Sequence, residues 1–288
     1  MAYLGKIFKI FRESRGMKLT EIAKPGLSKS QLSRFENGET DLTISKFMMA
    51  LDAINIPIDE FMYAANDFKQ NEFNTLLDKI RLYVTNKNIV GLKKLLIEQQ
   101  EKYYSKKHFY KLNIILIKIK LQDLSGENYF SEQDINYLTD YLFSVENWGN
   151  YELLLFANSL NTLKHKTFMV LSKEMIKRAS FYKEIPNNRR IISTMLLNSY
   201  ITCIERNEFI DALYFEKQLK DCFFIETELY ERLVFHYAKQ LYQFKKNKNN
   251  LSIIEMRKCI AFMKLADSYQ LAETFENYLE KILKSTEL

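Results

Sequence analysis

A chain of 288 residues with 47% apolar side chains can bury a small core and a larger one, since single cores rarely grow past about 250 residues. Its 7 Gly and 3 Pro leave little to interrupt helices and exclude collagen-like or low-complexity classes. The net charge of +6 suits a polyanionic partner without requiring one, and residues 1–66 hold only nine Lys/Arg against eight Asp/Glu.

Residues 1–66 read as five short helices joined by tight turns. The first runs from about Leu4 to Ser14, with Leu4, Ile7, Phe8 and Phe11 on one face and Gly16 just past its end. A second spans Leu19 to Ala23 and stops before Pro25-Gly26. The third begins at Ser28, the fourth near Ile44, and the fifth follows Pro57 through Met62. Met48, Met49 and Met62 are expected to pack in the core.

The third helix carries the sharpest local pattern. Ser28 is a strong N-cap, Gln31 completes a capping box, Leu27 and Leu32 form a hydrophobic staple, and Gly38 closes the far end. At 100° per residue, Leu32 and Phe35 face inward while Ser30, Ser33, Arg34 and Asn37 face solvent. Small polar groups beside one planar cation suit a DNA major groove, where Arg34 can meet guanine O6 and N7 with two parallel bonds. Ser28 and Lys29, at the free N–H groups of the helix start, suit a phosphate. A solvated surface helix has the same face; the short helix and Pro-Gly turn before it favour the DNA reading.

Residues 67–71 read as a linker, and from Glu72 onward the pattern lengthens into amphipathic helices. Polar breaks fall at Asn86–Asn88, Ser105–Lys107, Ser125–Asn128, Asn147–Asn150, Pro186–Asn188, Arg206–Glu208 and Lys245–Asn250. Ser131-Glu132-Gln133-Asp134 has the form of a helix start. Paired helices with no strand signal predict an α-solenoid of helical hairpins over 72–288, and the tract around Ala212 is similar to part of a tetratricopeptide repeat. The expected class is therefore all-α. No apolar run approaches the roughly 20 residues of a membrane span, and no secretory h-region opens the chain, so a cytoplasmic protein without a membrane partner is expected.

The chemistry of catalysis is missing from the pattern. His108, His165 and His236 are dispersed, and no glycine-rich phosphate loop or Cys–His motif is visible. Cys203, Cys222 and Cys259 lack metal-ligand spacing and read as buried free thiols. No enzyme, metal or cofactor is expected.

The segment from Met17 to Met62 resembles the XRE/lambda-repressor helix-turn-helix. Within it, SQLSRFENGE followed by DLTISKF is similar to the Rgg/MutR family of stand-alone regulators, as is WGNYELLLFANSL from Trp148 to Leu160. The resemblance implies a homodimeric DNA-binding regulator whose repeat region takes a short hydrophobic signalling peptide, with RNA polymerase as a further partner. It places Ser28 at a phosphate, Lys29, Ser30 and Arg34 at bases, and Asn37 at the DNA backbone. Arg15 and Lys18 lie where phosphate is within reach, or are solvated charges. Arg12 has two open roles, an ion pair with Glu36 that holds the domain or a direct DNA contact. Leu19 stands where such domains often carry a phosphate-contacting glutamine. In the repeat region Asn150, Asn158 and Asn198 are candidates to clamp a peptide backbone, and Arg190 to meet a carboxylate; solvated or turn positions are the alternative for the asparagines. Two other functions fit less of the pattern, a regulator sensing a non-peptide ligand or docking a protein, and a scaffold that binds no DNA.

Overall fold

The chain cannot place its first and third helices side by side unless residue 5 lacks a side chain. In the computed structural model, which describes residues 2–69, 71–103, 108–179, 186–222 and 226–286, helix α1 (Ala2–Ser14) crosses α3 (Lys29–Glu36) at Gly5. A Cβ there would sit 1.8 Å from the carbonyl oxygen of Phe35. Between them lies the single-turn α2 (Leu19–Ile22), followed by α4 (Ile44–Ala53) and α5 (Ile58–Ala65). Five helices thus stand where five were expected, and Pro57 occupies the N-cap of α5. Their core gathers Phe8, Ile22, Leu27, Leu32, Leu51 and Phe61, all essentially buried. Rings step through it from Phe8 to Phe35 (6.0 Å), Phe47 (6.0 Å) and Phe61 (5.0 Å), so α3 is gripped from α1 and α4 together. Met48 and Met49 are partly buried, whereas Met62 is 48% exposed on the outer side of α5 and packs less than expected.

The chain forms two compact units, residues 1–82 and 83–288. The division falls inside α6 (Glu72–Thr85), beyond the turn at 67–69 where the expected linker begins.

Among the described residues the regular elements of both units are helices, apart from one isolated bridge between Lys24 and Leu27. The second unit comprises α7 (Ile89–Tyr103), α8 (His108–Ser125), α9 (Glu132–Ser144), α10 (Asn150–Ala157), α11 (His165–Arg178), α12 (Pro186–Glu205), α13 (Phe209–Cys222), α14 (Leu229–Asn247), α15 (Leu251–Leu265) and α16 (Tyr269–Thr286). The pairs α7–α8, α12–α13 and α14–α15 form hairpins, while α12 also packs directly on α10 and α14. Alternate helices therefore share a layer, as an α-solenoid requires.

The turns explain how a glycine-poor chain makes sharp hairpins. Lys87, Asn207 and Asp267 each adopt positive φ just after a helix. The residue that follows donates back three residues inside the helix end, as Asn88 to Tyr83 (2.7 Å), Glu208 to Cys203 (2.8 Å) and Ser268 to Met263 (2.9 Å). Two of these turns coincide with expected breaks; the one at Asp267 had no Gly, Pro or Asn to announce it. Pro186–Asn188 is corrected from a break to a helix start, since α12 begins at Pro186, the position where a missing N–H costs nothing. The break expected at Ser105–Lys107 lies outside the described residues, as does the side chain of Cys222.

Gly5→Ala is expected to lower the melting temperature of the full-length protein by an overpacking cost of about 1–3 kcal/mol. Thermal unfolding followed by circular dichroism measures it; an unchanged transition would show that α1 and α3 can separate freely.

Candidate DNA-reading helix and ligand cavity

Helix α3 is fixed at both ends and from below. The Ser28 hydroxyl accepts from the Gln31 N–H (3.2 Å), and the Gln31 side chain accepts from the Ser28 N–H (3.1 Å). At the other end Gly38 has φ +75°, Gly38 N–H donates to Phe35 (2.9 Å) and Glu39 N–H to Arg34 (2.8 Å). Beneath it, Arg12 grips Glu36 with two bonds, Nε to Oε1 at 2.6 Å and a terminal nitrogen to Oε2 at 2.8 Å. The other terminal nitrogen donates to the Met17 carbonyl (2.8 Å), and both partners are buried, at 8% and 4% exposure. Glu36 and its bonds raise the affinity of the Arg12 guanidinium for its proton, against the opposing effect of burial. Of the two roles open to Arg12, this geometry is that of the ion pair, with the guanidinium turned inward.

The outward face carries exposed Ser28, Lys29, Ser30, Arg34 and Asn37, while Ser33 is half-buried. Arg15 is exposed, donates to the Phe11 carbonyl (3.3 Å) and lies over that ring; Lys18 is exposed at the N-cap of α2. Leu19 is half-buried against the core, which explains an apolar residue at that corner. One neighbour of the face escaped sequence reasoning. Glu39 accepts from the Asn37 amide (3.2 Å) and approaches Arg34 Nε at 3.7 Å.

In the second unit, α8, α10 and α12 enclose a cavity of about 240 Å³. Its wall includes Lys120, Asn158, Asn161, Asn198, Thr202 and Glu205, so two of the expected asparagines converge. Asn158 caps α10 and donates to the Leu154 carbonyl (2.8 Å); Asn198 is exposed. Asn150 and Arg190 are not brought to this cavity. Asn150 starts α10 at the opposite end from Asn158, with its Oδ1 buried and unbonded among the described residues. Arg190 Nε instead donates to the buried carboxylate of Glu231 (3.2 Å), joining α12 to α14. Lys120 was the residue missed. Burial pushes its ammonium below the ordinary lysine value, against the pull of Asp123 at 3.7 Å. The available signal was a pair of lysines, Lys118 and Lys120, set in the otherwise apolar run Ile114–Leu121.

The segment 161–163, of which Asn161 and Thr162 line the cavity, is held by side chains of α12 and the turn after it. Arg206 donates to the carbonyls of Leu163 (3.0 Å) and Asn161 (3.4 Å), and Thr202 to Asn161 Oδ1 (3.4 Å). Next to it, His165 Nε2 lies 2.8 Å from Asp211, with Glu208 close enough that the three donors fall within 4.8 Å. His165 opens α11, while Glu208 and Asp211 open α13; the positive ends of both helices oppose a cation and favour the carboxylates, so the group reads as an interhelix pair. Burial pushes the Cys203 thiol up to about 12 and that of Cys259 up to about 11, which suits inert core thiols.

Residues 93–277 match the C-terminal domain of the HTH-type transcriptional regulator Rgg, and residues 8–61 match a helix-turn-helix family. The chain belongs to the Rgg family of transcriptional regulators. The SHP pheromone receptor Rgg2 of Streptococcus dysgalactiae, in its C45S form, is 30% identical, with 96% of this chain and 98% of that one covered and a TM-score of 0.83. A putative transcriptional regulator from Listeria monocytogenes EGD-e shares the fold at 18% identity, with 99% of each chain covered and a TM-score of 0.85. PrgX in complex with cCF10 also shares it, at 18% identity, 99% and 93% coverage and a TM-score of 0.74. No described helix of this Rgg-family chain is long and apolar enough to cross a membrane.

The Arg12–Glu36 pair makes a sharp prediction. Arg12→Met alone should destabilise the protein by about 3–5 kcal/mol, because it leaves the buried Glu36 carboxylate unpaired. Glu36→Leu alone should cost less, because Arg12 keeps the exposed Glu13 at 3.1 Å. The double replacement Arg12→Met with Glu36→Leu should recover much of that loss. Denaturant unfolding of the three variants checks it; equal losses in single and double variants would contradict the pairing.

Proposed function

We propose that this Rgg-family regulator reads a duplex operator through α3, with Arg34, Ser30 and Lys29 toward bases and Ser28, Ser33 and Asn37 completing the contact. Arg15 and Lys18 add phosphate contacts at the neighbouring corner. The observation that carries this reading is the combination of a helix immobilised at both ends with a face of small polar groups and one exposed guanidinium. Because the domain is nearly neutral, few phosphates are neutralised per subunit, and a homodimer on two half-sites supplies the remaining affinity. Arg34→Ala should cost about 1–3 kcal/mol of operator affinity and relax base preference at one position. Electrophoretic mobility shifts on wild-type and substituted operators measure it; unchanged discrimination would remove Arg34 from the readers.

The regulatory reading rests on the convergence of Asn158 and Asn198 in one cavity. Amides supply a donor and an acceptor at fixed spacing, the pairing that an extended peptide backbone presents. We assign to this unit a short signalling peptide, met in the cytoplasm, whose binding alters transcription directly or through RNA polymerase. Residues 1–66 then serve DNA, 67–71 link, and 72–288 sense and dimerise. A second reading follows from the cavity's size and amide-rich wall: about 240 Å³ also fits a small polar metabolite, below the roughly 300 Å³ of most drug-sized sites.

Thermal shift with short hydrophobic peptides encoded beside the gene separates the two. A matching peptide should raise the melting temperature, and Asn198→Ala should weaken that shift by about tenfold in peptide affinity. A set of such peptides that moves neither melting temperature nor DNA affinity would end the peptide reading and leave the DNA reading standing.

A further inference from the structure

Glu39 stands where an acid is hardest to explain. It lies just beyond the DNA-reading helix of a protein that must approach phosphates, yet it touches two of the residues assigned to that approach. Its carboxylate accepts from the Asn37 amide at 3.2 Å and lies 3.7 Å from Arg34 Nε. Folding does not require the carboxylate: the helix closure uses only the Glu39 backbone N–H, donated to Arg34 at 2.8 Å, and any residue but proline supplies that. Nor does stability, since the Arg34 and Glu39 side chains are 58% and 54% exposed and such pairs contribute little.

We propose that Glu39 is a specificity-determining residue of the DNA-reading helix, positioning Arg34 and Asn37 and opposing their capture by phosphate. The approach through Nε leaves the two terminal nitrogens of Arg34 available for the parallel bonds that guanine O6 and N7 accept. A phosphate offers Arg34 a similar pair of oxygens anywhere along a duplex. The fixed negative charge of Glu39 raises the cost of that alternative wherever it brings phosphate and carboxylate together. A guanine edge bears no net charge and incurs less of it. The acid thereby lowers sequence-independent affinity more than operator affinity, and discrimination is the ratio of the two.

The test uses the full-length protein, a random-sequence duplex pool for selection, and one arbitrary duplex titrated against salt. Glu39→Gln should bind the arbitrary duplex severalfold more tightly, with a salt slope steeper by about one counterion, and should enrich a more degenerate motif from the pool. Glu39→Asp, which keeps the charge, should stay near wild type in both. In the double variant Arg34→Ala with Glu39→Gln, the gain on the arbitrary duplex should vanish relative to Arg34→Ala alone. An unchanged motif and arbitrary-duplex affinity in Glu39→Gln overturns the proposal, as does Glu39→Asp behaving like Glu39→Gln. A gain that persists without Arg34 overturns the positioning of that residue. Because the side chain is exposed, thermal unfolding of Glu39→Gln should match wild type.

Discussion

The buried Arg12–Glu36 pair ties the aim of α3 to the position of α1, and the rest of the first unit is arranged around it. Two charges at 8% and 4% exposure are tolerable only in good geometry, here two parallel bonds plus a carbonyl for the remaining nitrogen. That geometry requires the two backbones to approach closely, and Gly5 permits it. Caps at Ser28 and Gly38 then remove the freedom left at the ends of α3. Together these devices present five exposed polar side chains on a rigid rod, so little backbone ordering accompanies binding.

The second unit solves a different problem with the same economy. A left-handed residue after a helix normally favours glycine, but this chain uses Lys87, Asn207 and Asp267 there and recovers the strain through bonds to the helix end. Such turns send the next helix back at once. Alternation then places α8, α10 and α12 around one cavity although their contributing residues are up to 86 positions apart, from Ile119 to Glu205.

Most of the first unit was legible because its determinants are local. A capping box, a pair of buried leucines around it and a closing glycine are read within the twelve residues Leu27–Gly38, and each stands at its expected position. Gly5 was not legible, since its need arises from a backbone 30 residues away. Arg12 was left between two roles because sequence shows charge but not burial. In the second unit, breaks with asparagine or glycine stood out, whereas the turn at Ala266-Asp267-Ser268 did not, and Pro186 looked the same as a stop or a start. Residue type suggested four ligand contacts; helix phase and register decided which could meet. Asn158 and Asn198 share a wall, while Arg190 is joined to Glu231 elsewhere along α12.

The composition of that wall narrows what any ligand can present to it. Three asparagines, Thr202, Glu205 and a half-buried lysine offer hydrogen bonds and charge, beside Ile119, Ala157, Leu160 and Ile201. A ligand's polar atoms therefore find partners on most sides of this cavity, whether they belong to a peptide backbone or to a small polar molecule. Residues 162–164 border a second cavity, of about 300 Å³, where Phe130, Ile135 and Leu163 supply apolar surface. Thr162 lines both. Arg206 and Thr202 hold the segment between the two cavities in place, so a ligand entering either one meets a surface already ordered.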